Sequence, residues 1–193
     1  MGFLTKSGWI FLVIVIISSI GIVDYVKNDS FFGLYSFEED GFTIYESDIE
    51  VYFCPEDDCA NQLIEKINSA NESIDVAIYS FTLDNVADAL VKAQDRNVKV
   101  RVIFDYLQAS ADYSIDEEIE NEGIEIKIRK GSGSMHNKFI IIDGEKVMTG
   151  SFNYSNNANT KNDENLIFIL NKTVAKNYLA EFNEIWQQSS IGE

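Results

Sequence analysis

The sequence predicts an α/β fold: a mixed, largely parallel central sheet with helices on both faces, preceded by one N-terminal transmembrane helix. Three observations predict it. From about residue 42 onward, strand-like alternation and helix-like spacing of apolar residues take turns along the chain, which implies crossover connections. Two later runs, "FIII" (139–142) and "LIFIL" (166–170), are continuously apolar, as in strands buried on both faces. Residues 7–23, "SGWIFLVIVIISSIGIV", carry no charge.

That first segment follows Lys6, ends at Asp24, and at about 1.5 Å per helical residue approaches the length needed to cross a bilayer. Trp9 and Tyr25 suit the two interfaces. A cleaved signal peptide with a site near Ser19-Ile20-Gly21 is the competing reading; a retained anchor (1–23) is favoured because the apolar run is long and the cleavage site poor. Lys6 precedes the span while Asp24, Asp29, Glu38, Glu39 and Asp40 follow it, so the expected location of the body is extracytoplasmic. Residues 24–41 read as a tether and 42–193 as one catalytic domain.

In the domain, Ile49, Val51 and Phe53 alternate as a strand; Ala60, Leu63, Ile64 and Ile67 then recur at helical spacing. Strands follow at 73–81, 98–105 and 124–130, with helices at 84–94 and around 114–123 between them. Asp143-Gly144 reads as a hairpin turn between 139–142 and the strand in "KVMTGSFN". Val174, Tyr178, Leu179, Phe182, Ile185 and Trp186 form one helical stripe, assigned to core packing. Cys54 and Cys59, in "CPEDDC", could close a small disulfide loop in an oxidising compartment, or stay as two reduced thiols. Two thiols and one distant histidine leave a zinc site short of ligands.

All 32 acidic residues and 14 of the 15 basic ones lie from Asp24 onward. Such a field opposes unspecific adhesion to polyanions, though it permits a local basic cleft. Basic residues cluster at Arg96, Lys99 and Arg101, and again at Lys127, Arg129 and Lys130; each cluster fits a solvated strand edge as well as a substrate track.

The chain has one histidine, His136. In "HNKFIIID" a strand would alternate His136, Lys138, Ile140 and Ile142 on one face, setting an imidazole beside an ammonium at the strand's start. The ammonium favours the neutral imidazole, whose free lone pair can attack, and it attracts an anionic substrate. The partner strand returns Ser151 and Asn153 to the same end, and hydroxyl, amide and ammonium together can cradle the oxygens of phosphate, carboxylate or sulfate.

His136, Lys138, Asp143, Gly150, Ser151 and Asn153 meet the pattern H-x-K, four residues, D, six residues, G-S-x-N without a gap, which resembles the signature of the phospholipase D superfamily. The likeness covers roughly residues 48–189, including "SIDVAIYSFT" and Glu164-Asn165, and points to the compact single-motif branch with its small endonucleases and a mitochondrial membrane-anchored member. The resemblance implies that His136 attacks phosphorus to give a phosphohistidine, that Lys138, Ser151 and Asn153 hold the non-bridging oxygens, that Asp143 and Glu164 orient and tune the site, and that no metal or other cofactor is needed. Arg129 and Lys130 are the additional candidate substrate contacts.

Displacement in two steps needs a nucleophile and an acid for the departing oxygen, yet one chain supplies one histidine. A two-fold homodimer sharing one active site is the simplest solution, and the compact branch is built that way. The expected partners are thus a second copy, a phosphodiester substrate and a membrane through residues 7–23. Nucleic acid, single-stranded or flexible, is the preferred substrate; a lipid-directed phospholipase and a non-catalytic phosphate- or RNA-binding module are the alternatives.

Overall fold

Ser73–Ile78 (β2) alternates Ile74, Val76 and Ile78 with Asp75 and Ala77, and these two sets face two different cores. Here, as in the neighbouring strands, apolar side chains on both faces call for a helical layer on each side. The computed structural model describes residues 48–191. The predicted anchor (1–23) and the tether (24–41) lie outside the described residues, among which no helix is long and apolar enough to cross a membrane.

Seven strands form one sheet among the described residues: β1 (Ile49–Cys54), β2, β3 (Lys99–Asp105), β4 (Glu125–Arg129), β5 (Lys138–Ile142), β6 (Lys146–Gly150) and β7 (Glu164–Leu170), in the spatial order β1-β7-β6-β5-β2-β3-β4. On one face lie α1 (Cys59–Asn68) and α2 (Asp84–Asp95), which bury Leu63, Ile67, Val86 and Leu90 against Ile74, Val76, Val102 and Ile140. The short helices α3 (Tyr106–Ala109), α4 (Asp116–Asn121) and α5 (Asn156–Thr160) follow β3, precede β4 and precede β7. On the other face α6 (Lys172–Gln188) sets Ala175, Phe182 and Ile185 on Ala77, Ile103, Phe139 and Ile141.

The predicted largely parallel sheet needs correction. Only β2–β3 and β3–β4 are parallel, whereas β1–β7, β7–β6, β6–β5 and β5–β2 are antiparallel. Helices connect β1 to β2, β2 to β3 and β3 to β4, strands of like direction, whereas the Asp143-Gly144 hairpin, with φ of 54° and 64°, reverses the chain into β6. Apolar continuity in β5 reflects burial on both faces and carries no information on direction. β7 departs further, because Ile167 and Ile169 are only half-buried on the side that α6 leaves open. The strand at 124–130 and the final helix match expectation, while the helix foreseen at 114–123 is shorter, and α3 was not foreseen at all.

This topology brings the C-terminal ends of β1, β2, β3, β4 and β6 and the N-terminal ends of β5 and β7 to a single sheet edge.

Candidate active site

β5 starts at Lys138, so His136 stands on the lead-in to the strand and not within it as the alternation implied. The two side chains still meet: Lys138 Nζ lies 3.2 Å from His136 Nδ1 and donates to the His136 carbonyl at 2.9 Å. A charged lysine is a donor only, so Nδ1 accepts and the proton of a neutral ring lies on Nε2. Tyr79, just past β2, supports both groups. Its ring centroid is 4.3 Å from that of His136 and 5.0 Å from Lys138 Nζ. His136 is exposed at the edge, whereas Lys138 is half-buried. Burial lowers the Lys138 pKa below the usual lysine range, and the carboxylate of Glu164 partly opposes that shift.

Ser151 and Asn153 arrive from the end of β6. Ser151 N–H donates to the Asn165 carbonyl at 3.1 Å, and the Ser151 hydroxyl donates to Glu164 and accepts from Asn165 N–H. Gly150 makes this approach possible: a Cβ there would stand 2.1 Å from the Asn165 carbonyl oxygen. Asn162 Nδ2 donates to the other Glu164 oxygen at 3.1 Å. Beyond Asn153, Tyr154 N–H donates to Ser80 and Thr82 N–H to Tyr154, which ties the motif to the extension of β2. The Asn153 Oδ1 atom is buried without a hydrogen-bond partner. A buried acceptor left unsatisfied at this end of the sheet is a position suited to a ligand donor.

Asp143 is not brought to this cluster. It sits at the opposite end of β5, roughly 17 Å from Lys138 at about 3.4 Å per residue. Its carboxylate accepts from the backbone N–H groups of Asn71, Glu72 and Ser73 at 2.8–3.2 Å, and Lys146 Nζ is 3.7 Å away. Burial alone would raise its pKa; those three donors and Lys146 outweigh it and hold the carboxyl below its usual range. Asp143 thereby pins the start of β2 to the hairpin.

Arg129 and His136 border the same cavity of about 380 Å³, whose far wall is Glu181, Glu184 and Gln188 of α6. The Arg129 guanidinium is held there by the Lys130 carbonyl and Gln188. Lys130 points elsewhere, 4.3 Å above the Tyr106 ring. In the other basic cluster two residues are structural, while Lys99 is exposed: Arg101 pairs with buried Asp75 at 2.6 Å, and Arg96 donates to the carbonyls that end α1. Cys54 and Cys59 are joined in a disulfide with Cα atoms 5.7 Å apart, at the site end of β1. Among the described residues, no cluster of His, Cys, Asp and Glu could hold a metal ion.

The sequence alone assigns no role to Tyr79 or Asp105. Asp105 is only 2% exposed at the end of β3, and its one signal in the sequence is an acid placed directly after the apolar run Val102-Ile103-Phe104.

Residues 63–186 match the family model described as the cardiolipin synthase, PLD-like domain. The phospholipase D of Rickettsia prowazekii is 34% identical over 157 residues, which is 80% of this chain and 77% of that protein. The mitochondrial cardiolipin hydrolase of Xenopus tropicalis is 30% identical over 132 residues, 68% of this chain and 63% of that protein. Among solved structures, the phospholipase D family member Nuc from Salmonella typhimurium is similar at a TM-score of 0.72 and 33% identity, covering 75% of this chain and 97% of that one.

Proposed function

The chain belongs to the phospholipase D-like family of hydrolases, and from that premise we propose that it is a metal-independent phosphodiesterase working through a covalent phosphohistidine, with nucleic acid as its substrate. One observation carries the reading: His136, Lys138, Ser151, Asn153 and Glu164 share one sheet edge, with Lys138 Nζ 3.2 Å from the imidazole.

A phosphodiester entering this edge offers oxygens that Lys138 and Asn153 can hold, and that Ser151 can hold once its hydroxyl proton turns from Glu164 to the phosphate. Drawing Lys138 onto a phosphate oxygen releases Nδ1, so that Nδ1 can carry the ring proton and Nε2 can attack phosphorus. The nitrogen–phosphorus bond forms as the bond to the departing oxygen breaks. A second imidazole protonates that oxygen, and in the next step takes a proton from the water that displaces the histidine. The chain has one histidine, so this division of labour assigns the second imidazole to the other subunit of a two-fold homodimer. Glu164, bonded to Ser151 and acting on Lys138, tunes the cradle, while Asp143 contributes through the placement of β5. Arg129, on the shared cavity, is a candidate contact for the leaving portion of the substrate.

The preference for nucleic acid follows from the compact single-motif architecture, since nearly the whole of Nuc is matched. A phospholipid is the second reading. It is favoured by relatives named phospholipase D and cardiolipin hydrolase, and by Leu107 and Tyr113, which are 65% and 63% exposed in the segment that follows β3. The uncharged span at 7–23 would hold the domain at a membrane surface, on its extracytoplasmic side.

Incubating the full chain with single-stranded DNA, RNA and phospholipid vesicles in EDTA tests the proposal. Nucleic acid cleavage supports it; release of phosphatidic acid with nucleic acids untouched reverses the substrate ranking, and loss of all activity on chelation removes the metal-free mechanism. Retained binding with no turnover by any substrate would indicate a binding module.

A further inference from the structure

We propose that Asp105, together with the Gln108–Tyr79 pair that it anchors, positions the His136 ring for reaction. The inference rests on the reading that His136 is the reacting group.

Asp105 closes β3, and its carboxylate is divided between two tasks. Oδ1 accepts from Leu107 and Gln108 N–H at 3.0 and 3.3 Å, which caps α3. Oδ2 accepts from Met135 N–H at 2.8 Å, across 30 residues of sequence and immediately before His136. A four-residue helix is a small return for burying a charge, because capping uses only one oxygen and an exposed serine would serve. The second oxygen explains the carboxylate. Residues 130–137 contain no strand or helix, and Met135 is the buried residue among them.

α3 reaches the imidazole by a second route. Gln108 Nε2 donates to the Tyr79 hydroxyl at 3.3 Å, and the Tyr79 ring lies against His136. Tyr79 N–H in turn donates to the Asn137 carbonyl at 2.9 Å. Backbone bonds at Met135 and Asn137 therefore bracket His136, and the aromatic contact sets the tilt of its ring. Asp105 is the group common to both routes, since it caps the turn that carries Gln108.

Asparagine cannot replace it. An amide has one acceptor oxygen, and its NH₂ would face an N–H donor, so either the cap or the Met135 bond is lost. Asp105→Asn is expected to lower kcat by about 10–100-fold with KM within about twofold, the pattern of misplaced machinery rather than lost binding. The single histidine gives a second, activity-independent readout: the ring ¹⁵N shifts of His136 should move, reporting an altered tautomer balance. Tyr79→Phe and Gln108→Ala, which leave the buried carboxylate alone, should produce smaller shifts in the same direction, and they carry the test if Asp105→Asn does not fold. A folded Asp105→Asn with unchanged His136 ring signals would overturn the proposal, as would unchanged ring signals in both of the milder variants. Absence of any phosphodiesterase activity in the parent, combined with altered ring signals, would sink the catalytic reading and leave the positioning intact.

Discussion

The two ends of β5 belong to one sequence motif and do different work. At the Lys138 end an imidazole is exposed, an ammonium is half-buried with a lowered pKa, and the side-chain Oδ1 of Asn153 has no partner. At the Asp143 end every demand is met: three backbone donors and a lysine surround one carboxylate. Unsatisfied polar groups at one end and a satisfied network at the other distinguish a place built to receive something from a place built to hold the chain. A linear motif records both because a five-residue strand keeps its two ends at fixed spacing.

Breaking the exposed end should have the largest effect on turnover. His136→Ala is expected to reduce activity by about 10⁴-fold or more while changing stability by less than about 1 kcal/mol, since the ring is exposed, lying against Tyr79 and the Lys138 ammonium. Steady-state kinetics beside a urea melt would check both halves. Next in size is Gly150→Ala. Its Cβ would collide with the Asn165 carbonyl, so β7 must shift, at about 2–3 kcal/mol of stability and about 10–100-fold in activity as Ser151 leaves Glu164.

Asp143→Ala sharpens the contrast from the other side. Losing a carboxylate that satisfies three N–H groups should cost about 2–3 kcal/mol, read by denaturant midpoint, with kcat reduced less than tenfold because the site is about 17 Å away. Its lowered pKa sets the sign of the pH dependence. The stabilisation is present above the ordinary aspartate value of about 3.9 and is lost as pH falls through the lower folded value, so the variant should show a flatter acid branch of stability. The smallest effect concerns Lys138. With its pKa depressed by burial, activity should fall on the alkaline side below the ordinary lysine value of about 10.4, and Glu164→Gln, by removing the opposing carboxylate, should move that limb to lower pH. An unmoved limb would mean that Glu164 does not act on Lys138.

Much of this molecule was legible in its sequence, for identifiable reasons. The hairpin at Asp143-Gly144 announces itself because few residues accept left-handed backbone, and the helical stripe of α6 because its apolar spacing is regular. The motif residues could be named because their spacing is strict. Strand direction was not legible: "FIII" is equally apolar in a parallel or an antiparallel neighbourhood, and the pairing of β5 with β2 depends on tertiary contacts. Nor could spacing reveal that Asp143 serves the start of β2 at residues 71–73, or that Asp105 reaches Met135. Such contacts arise only once the sheet has closed.

The central claim is that the His136 imidazole itself becomes bonded to phosphorus. The full chain, held in EDTA with a phosphodiester oligonucleotide, should be quenched in mid-turnover and its peptides weighed. A phosphoryl group still esterified to the retained nucleotide fragment, on the peptide containing His136, labile in acid, stable in alkali and absent from His136→Ala, is the predicted result. Steady turnover with that peptide unmodified at every quench time would contradict the account.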